Sequence, residues 1–108
     1  MLFLASPYSH PDVNTRAERY HATHRATALW IKSGLKVFSP IVYSHQMAVT
    51  FSMPTDHIFW REFNMGFLRK SQELWVLCLD GWQESVGVEA EMVEAERLGL
   101  QISFKEAP

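Results

Sequence analysis

Short apolar runs alternate along this chain with longer stretches whose apolar residues recur every three or four positions. The runs are "MLFLA" at residues 1–5, "LKVF" at 35–38, "ELWVLCL" at 73–79 and "QISF" at 101–104. Continuous apolar runs of this length predict buried strands, and the helical period between them predicts covering helices. Strands that alternate with helices predict a parallel sheet covered on both faces. The expected fold is therefore a compact parallel α/β sandwich of the Rossmann or flavodoxin-like kind. It should have about four to five strands, with "LWVLCL" central, in a single domain over residues 1–108.

The helix boundaries follow from turn and cap residues. Asp12 or Asn14 can cap a helix that runs to about Ser33 and stops at Gly34. Its expected inner stripe is Val13, Ala17, Tyr20, His24, Thr27 and Ile31. "SPIVYSHQM" reads as the segment that closes the second strand, and residues 47–55 as a loop or short helix. Pro54, Thr55 and Asp56 mark the start of a helix that reaches about Lys70. Phe59, Trp60, Phe63 and Phe67 share one face of it, and Ile58, Met65 and Leu68 the other. A helix with two apolar faces needs two covers, which predicts a homo-oligomer.

The last helical stretch, "DGWQESVGVEAEMVEAERLG", poses a question. On a wheel of about 100° per residue, Val88, Met92, Ala95 and Leu98 share one arc. Glu89, Glu94 and Glu96 lie outside it, where solvated charges belong. Glu91 lies inside. An inward carboxylate must be paired, protonated or used. Two readings are open at this level: an ion pair with an arginine of the first helix, or a carboxylate facing a site.

Composition narrows the partners. The chain is 47% hydrophobic with a net charge of −2, which suits a real core and gives no basic field for duplex nucleic acid. One cysteine, Cys78, cannot form an internal disulfide and reads as a packed thiol. The N-terminal residues lack a signal-peptide pattern, and no apolar stretch approaches the ~20 residues of a membrane span. The cytoplasm is the expected compartment, with no membrane partner. His21 and His24 are one helical turn apart, but no third ligand has suitable spacing, so no metal is expected. Asp56 and His57 look like helix-start residues, and no Ser-His-Asp arrangement stands out.

In parallel sheets the ligand crevice lies at the carboxyl ends of the strands. Those ends here are "SPYSH", "SPIVYSH" and "DGWQES". They offer Ser6, Tyr8, Ser9 and His10, then His45, then Trp82, Ser85 and Gly87. Ser85 with the Gly87 amide opens the last helix, where backbone N–H groups bind anions. Ser85 could equally be a plain helix cap. Trp82 could stack on a ligand or lid the core.

"LFLASPYS" near the start and "LDGWQESVGVEAEMVEA" near the end resemble the nucleoside 2-deoxyribosyltransferase-like superfamily. The shared element is Ser85, Gly87, Val88, Glu91 and Ala95. The resemblance implies a glutamate nucleophile, Glu91, that attacks the anomeric carbon of a nucleoside or nucleoside monophosphate. It implies a phosphate or sugar contact at Ser85, and no cofactor. Two positions depart from the pattern. Phe3 stands where the family has an orienting tyrosine, and Asn64 where it has an aspartate near the leaving base. Asn64 is the residue placed beside Glu91 in the reacting site, yet it cannot protonate a leaving group. An inactive nucleotide-binding module of the same fold is the alternative expectation.

Overall fold

The computed structural model describes residues 1–108 and is a four-stranded, wholly parallel sheet with helices on both faces. The elements in order are β1 (Leu2–Ala5), α1 (Val13–Lys32), β2 (Val37–Phe38), α2 (Pro40–Thr50), α3 (His57–Leu68), β3 (Glu73–Leu77), α4 (Val86–Arg97) and β4 (Gln101–Lys105). A short 3₁₀ turn over Trp82–Glu84 precedes α4. The strand order is β2-β1-β3-β4, so "LWVLCL" is an inner strand. The chain leaves β1 toward one edge and returns on its other side. The order therefore reverses between β1 and β3, and loops diverge there to open a crevice above the carboxyl ends.

Strand alternation sorts the core into two layers. Phe3, Ala5, Leu74 and Val76 face α3 and α4, where they meet Met65, Leu68, Val88 and Ala95. Leu4 and Leu77 face the other way, onto Ala26 of α1 with Trp30 and Trp75 beside them. Register pairs Phe3 with Leu74 and Ala5 with Val76, so each layer is continuous across the strands. This two-sided burial is why the strands read as unbroken apolar runs.

Asp12 caps α1, accepting N–H bonds from Asn14 and Thr15. The inner face of α1 differs from the expected stripe. Thr23, Ala26 and Thr27 are buried, whereas Val13, His24 and Ile31 are exposed. The difference has a polar cause: Thr23 and Thr27 donate their hydroxyls to the carbonyls of Arg19 and Thr23, which lets two threonines sit against the sheet.

Helix α2 replaces the expected strand-closing segment. Ser39 caps it by accepting the Val42 N–H at 3.2 Å, and Pro40 stands in its first turn. That serine-proline pair is a helix-start signal. In α3, Met65 and Leu68 are core residues, but Ile58, grouped with them on the wheel, is 83% exposed. It lies in the first turn of α3, away from the residues that meet the sheet. Phe59 and Phe63 are also exposed; Phe63 belongs to an aromatic ladder that links Tyr43, Phe63, Phe67 and Phe38, and Phe59 packs edge-on against Trp60. No helix is long and apolar enough to cross a membrane.

Candidate functional site

A cavity of about 350 Å³ opens at the carboxyl ends of β1 and β3. Its walls come from the loop after β1, from α2, from the start of α3 and from the start of α4. Of the residues singled out in the sequence, Ser6, Tyr8, Ser9, His45, Asn64, Ser85, Gly87 and Glu91 line it.

Glu91 is 6% exposed, one and a half turns into α4. The chain's two ion pairs both belong to Glu94, so the ion-pair reading of Glu91 does not hold. Arg19 of α1 instead donates to the carbonyls of Tyr8, Ser9 and Asp80, tying two site loops together. That tie requires Gly81, whose φ is +89° and whose Cβ, if present, would press on the Arg19 guanidinium. With no cation or donor to offset it, burial pushes the Glu91 carboxyl up to about 8. At neutral pH it is mostly protonated in the free protein.

Two more polar groups share this condition. Ser6 Oγ and Asn64 Oδ1 are buried without a hydrogen-bond partner. Buried polar atoms are nearly always paired in folded proteins, and leaving one unpaired costs about 1–3 kcal/mol. Here two such atoms and an unpaired carboxyl line the same cavity.

The helix starts shape the rest. Ser85 accepts the Val88 N–H at 3.2 Å and so is the cap of α4, while its hydroxyl proton remains available to the cavity. The cap reading of Ser85 is the one the structure shows. Asp56 caps α3 by accepting the Phe59 N–H at 2.9 Å. A Cβ at Gly87 would make only ordinary contact with His57, so this glycine is not demanded by packing.

A hydrogen bond of 2.7 Å joins Tyr8 Oη and His45 Nδ1. Tyr20 stacks on the other side of His45, with ring centroids 4.0 Å apart. Burial, helped by His21 and Arg16, holds His45 below the usual imidazole range, and burial raises the Tyr8 phenol against the opposing pull of Arg16. Burial and Arg61 lower His57 in the same way, against the pull of Asp56. Both imidazoles are thus biased toward their neutral forms.

Two expected site residues stand outside the cavity walls. His10 is exposed, and its Nδ1 accepts the Asp12 N–H within the loop before α1. Trp82 packs against Phe104 and the core, which is the lid reading of that residue. Beyond His45 and Asn64, α2 and α3 contribute residues that the sequence reading did not place at the site: Ser44, Asp56, His57 and Trp60 also line the cavity. The signal for α2 was the Ser39–Pro40 pair, and the helix it starts carries Ser44 and His45 on its cavity side. Cys78 is half-buried, and burial raises its thiol, in keeping with a packed role. No group of three or more His, Cys, Asp or Glu side chains gathers as a metal site.

Fold and site together define a parallel α/β protein with a cavity at its topological switch point. The chain belongs to the family described as "Domain of unknown function (DUF1937)", whose model matches residues 1–106. No match was found among curated proteins.

Proposed function

We infer that this protein cleaves or exchanges the N-glycosidic bond of a nucleoside or nucleoside monophosphate, with Glu91 as nucleophile. The observation that carries this reading is an unpaired, buried carboxyl on the wall of an open cavity, one and a half turns below a helix start that lines the same cavity. A carboxylate suits the reaction because it stabilises oxocarbenium character and can bond covalently to the anomeric carbon. The order of "S.GV..E" along α4, which resembles the deoxyribosyltransferase-like pattern, supports the same assignment.

The raised pKa of Glu91 sets a condition on this chemistry. Attack requires the anion, and burial favours the acid. Sugar hydroxyls that donate to the carboxylate, and positive charge that grows on the anomeric carbon, both favour the anion. Substrate binding thereby helps to ionise its own nucleophile. Asn64 Oδ1 and Ser6 Oγ supply free acceptors for N–H or O–H groups of the ligand.

Asn64 also favours a second reading. An amide has no proton to give a leaving base, so a module that binds nucleosides without cleaving them fits the same cavity. Incubation with a panel of nucleosides, deoxynucleosides and their monophosphates, followed by chromatography for free base, decides between them. Base release that Glu91→Gln abolishes is the expected result. Absence of release from every compound, with one of them raising the melting temperature, would select the binding module.

A further inference from the structure

The charge of the cavity wall is one-sided. Asp56 and Glu84 line it as carboxylates, Glu91 lines it mostly as the neutral acid, and no lysine or arginine does. The nearby arginines are turned to other work. Arg19 serves loop carbonyls, and Arg16 donates to the His10 carbonyl. Arg61 stands near His57 but is not among the lining residues. His45 and His57, the imidazoles on the wall, are held toward neutrality by burial and by these neighbouring cations.

Three helix starts line the cavity, those of α2, α3 and α4, and a helix start ordinarily attracts anions. The start of α2 is capped by the neutral Ser39, whereas those of α3 and α4 already carry a carboxylate. Asp56 caps α3, and Glu84 sits immediately before the Ser85 cap of α4. The positive ends of α3 and α4 therefore face acidic groups of the chain itself. A phosphate placed in this cavity would meet like charge and no basic side chain.

Aromatic groups complete the wall. Tyr8 and Trp60 both line it, and the Trp60 indole is fixed by donating to the Pro54 carbonyl at 2.7 Å. Aromatic faces with carboxylates nearby attract delocalised organic cations. Asn64 lines the same wall with an unpartnered Oδ1, and its amide cannot protonate a leaving base. A base that leaves as a neutral molecule needs no such protonation.

We propose that the substrate is a cationic N-glycoside without a phosphate: a nucleoside whose base is quaternised at the glycosidic nitrogen or elsewhere on its ring. This rests on the glycosidic reading above and narrows it. Glu91 as the carboxylate forms a bond from Oε to the anomeric carbon. The carbon–nitrogen bond breaks, its electron pair stays with the base, and the base's positive charge is cancelled. No proton transfer to the base is required. Water then attacks the anomeric carbon, its proton passes to solvent, and the free sugar leaves with the carboxylate restored.

Three probes that differ by one charge feature each test the proposal: nicotinamide riboside, its neutral dihydro form, and its 5′-monophosphate. Base release by the intact protein gives kcat/KM, and calorimetry on Glu91→Gln gives affinity without turnover. The cationic riboside should exceed each of the others by about tenfold, because the dihydro form lacks the positive charge and the monophosphate brings nearly two negative charges to a wall whose exposed Asp56 and Glu84 are partly screened by solvent. Glu84→Gln should narrow the gap between the riboside and its monophosphate. Equal or better use of the monophosphate or of the dihydro form overturns the proposal, as does failure of all three to bind. Release from neutral deoxynucleosides in that last case leaves the broader glycosidic reading standing. Selective binding of the cation with no release from any compound does the reverse: it keeps the charge assignment and removes the glycosidic reading.

Discussion

Glu91 and Glu94 lie three residues apart on one helix and meet opposite surroundings. Glu94 sits at the seam between α3 and α4, where Arg69 and Arg97 reach it at 3.0 and 2.7 Å and hold its carboxyl at about 2. Glu91 faces the cavity, where nothing answers its charge and burial lifts it to about 8. The seam is satisfied within the chain. The cavity wall leaves its own polar groups without a partner in the chain. The two carboxyls therefore differ in whether the fold itself answers them, and each can be tested by the same substitution.

The largest expected effect is on catalysis. Glu91→Gln should lower base release by roughly three orders of magnitude or more, since the amide is a very poor nucleophile and the change is nearly isosteric. The pH profile adds a sign. A nucleophile must be ionised, so kcat/KM should rise with pH to a plateau, with a midpoint near the free-site value of about 8. A profile that falls through that range would make Glu91 a proton donor instead, and would break its assignment as nucleophile.

Stability should follow next in size. The folded protein binds the Glu91 proton more tightly than the unfolded chain, whose glutamate titrates near 4.5. Its favourable contribution is complete below about pH 4.5 and is lost as pH rises through about 8. Wild type should therefore lose stability relative to Glu91→Gln by about 1.4 kcal/mol per pH unit within that window. Denaturant melts at several pH values would measure this: near equality at pH 5, and the Gln variant ahead by a few kcal/mol at pH 8. A Gln variant that melts earlier at every pH would show that Glu91 has a structural partner after all.

How much of this was legible beforehand depends on the kind of signal. The strands, their parallel order and the inward set of Glu91 were readable because two-sided burial and helical period are properties of the residues themselves. Helix α2 was passed over because "SPIVYSH" is also a plausible strand-end loop, and only the Ser39–Pro40 pair argued otherwise. The inner face of α1 was misjudged because Thr23 can satisfy its hydroxyl on the helix's own backbone. Hydropathy cannot see that. The positions of His10 and Trp82 turned on where two loops fold, which no local pattern encodes. Arg19 is the residue that fixes those loops, and its partners are backbone carbonyls.

Ser6→Ala sharpens the contrast at smaller scale. Ser6 Oγ is buried without a partner, so the apo protein should lose nothing and gain up to about 1 kcal/mol when the hydroxyl is removed. Any ligand that uses that hydroxyl should bind more weakly. The check is a pair of melting curves, without and with the best ligand of the panel. A variant that is clearly less stable when empty would mean that the hydroxyl has a partner within the fold.

The smallest effect belongs to the seam, and its sign is the reverse of that at Glu91. Glu94 is held low by two arginines, so its contribution is present above the unfolded value of about 4.5 and is lost as pH falls through about 2. Arg69 and Arg97 are 46% and 64% exposed, so solvent and salt screen both pairs. Glu94→Gln should lower the melting temperature slightly at pH 7, less so in high salt, and not at all near pH 2. Base release should be unchanged, because Glu94 does not line the cavity. The two substitutions thus form a matched pair on one helix: one raises stability as pH climbs and removes activity, the other lowers stability at neutral pH and spares it. Loss of activity in Glu94→Gln with intact folding would dissolve that distinction, because the seam between α3 and α4 would then be setting the geometry of the site.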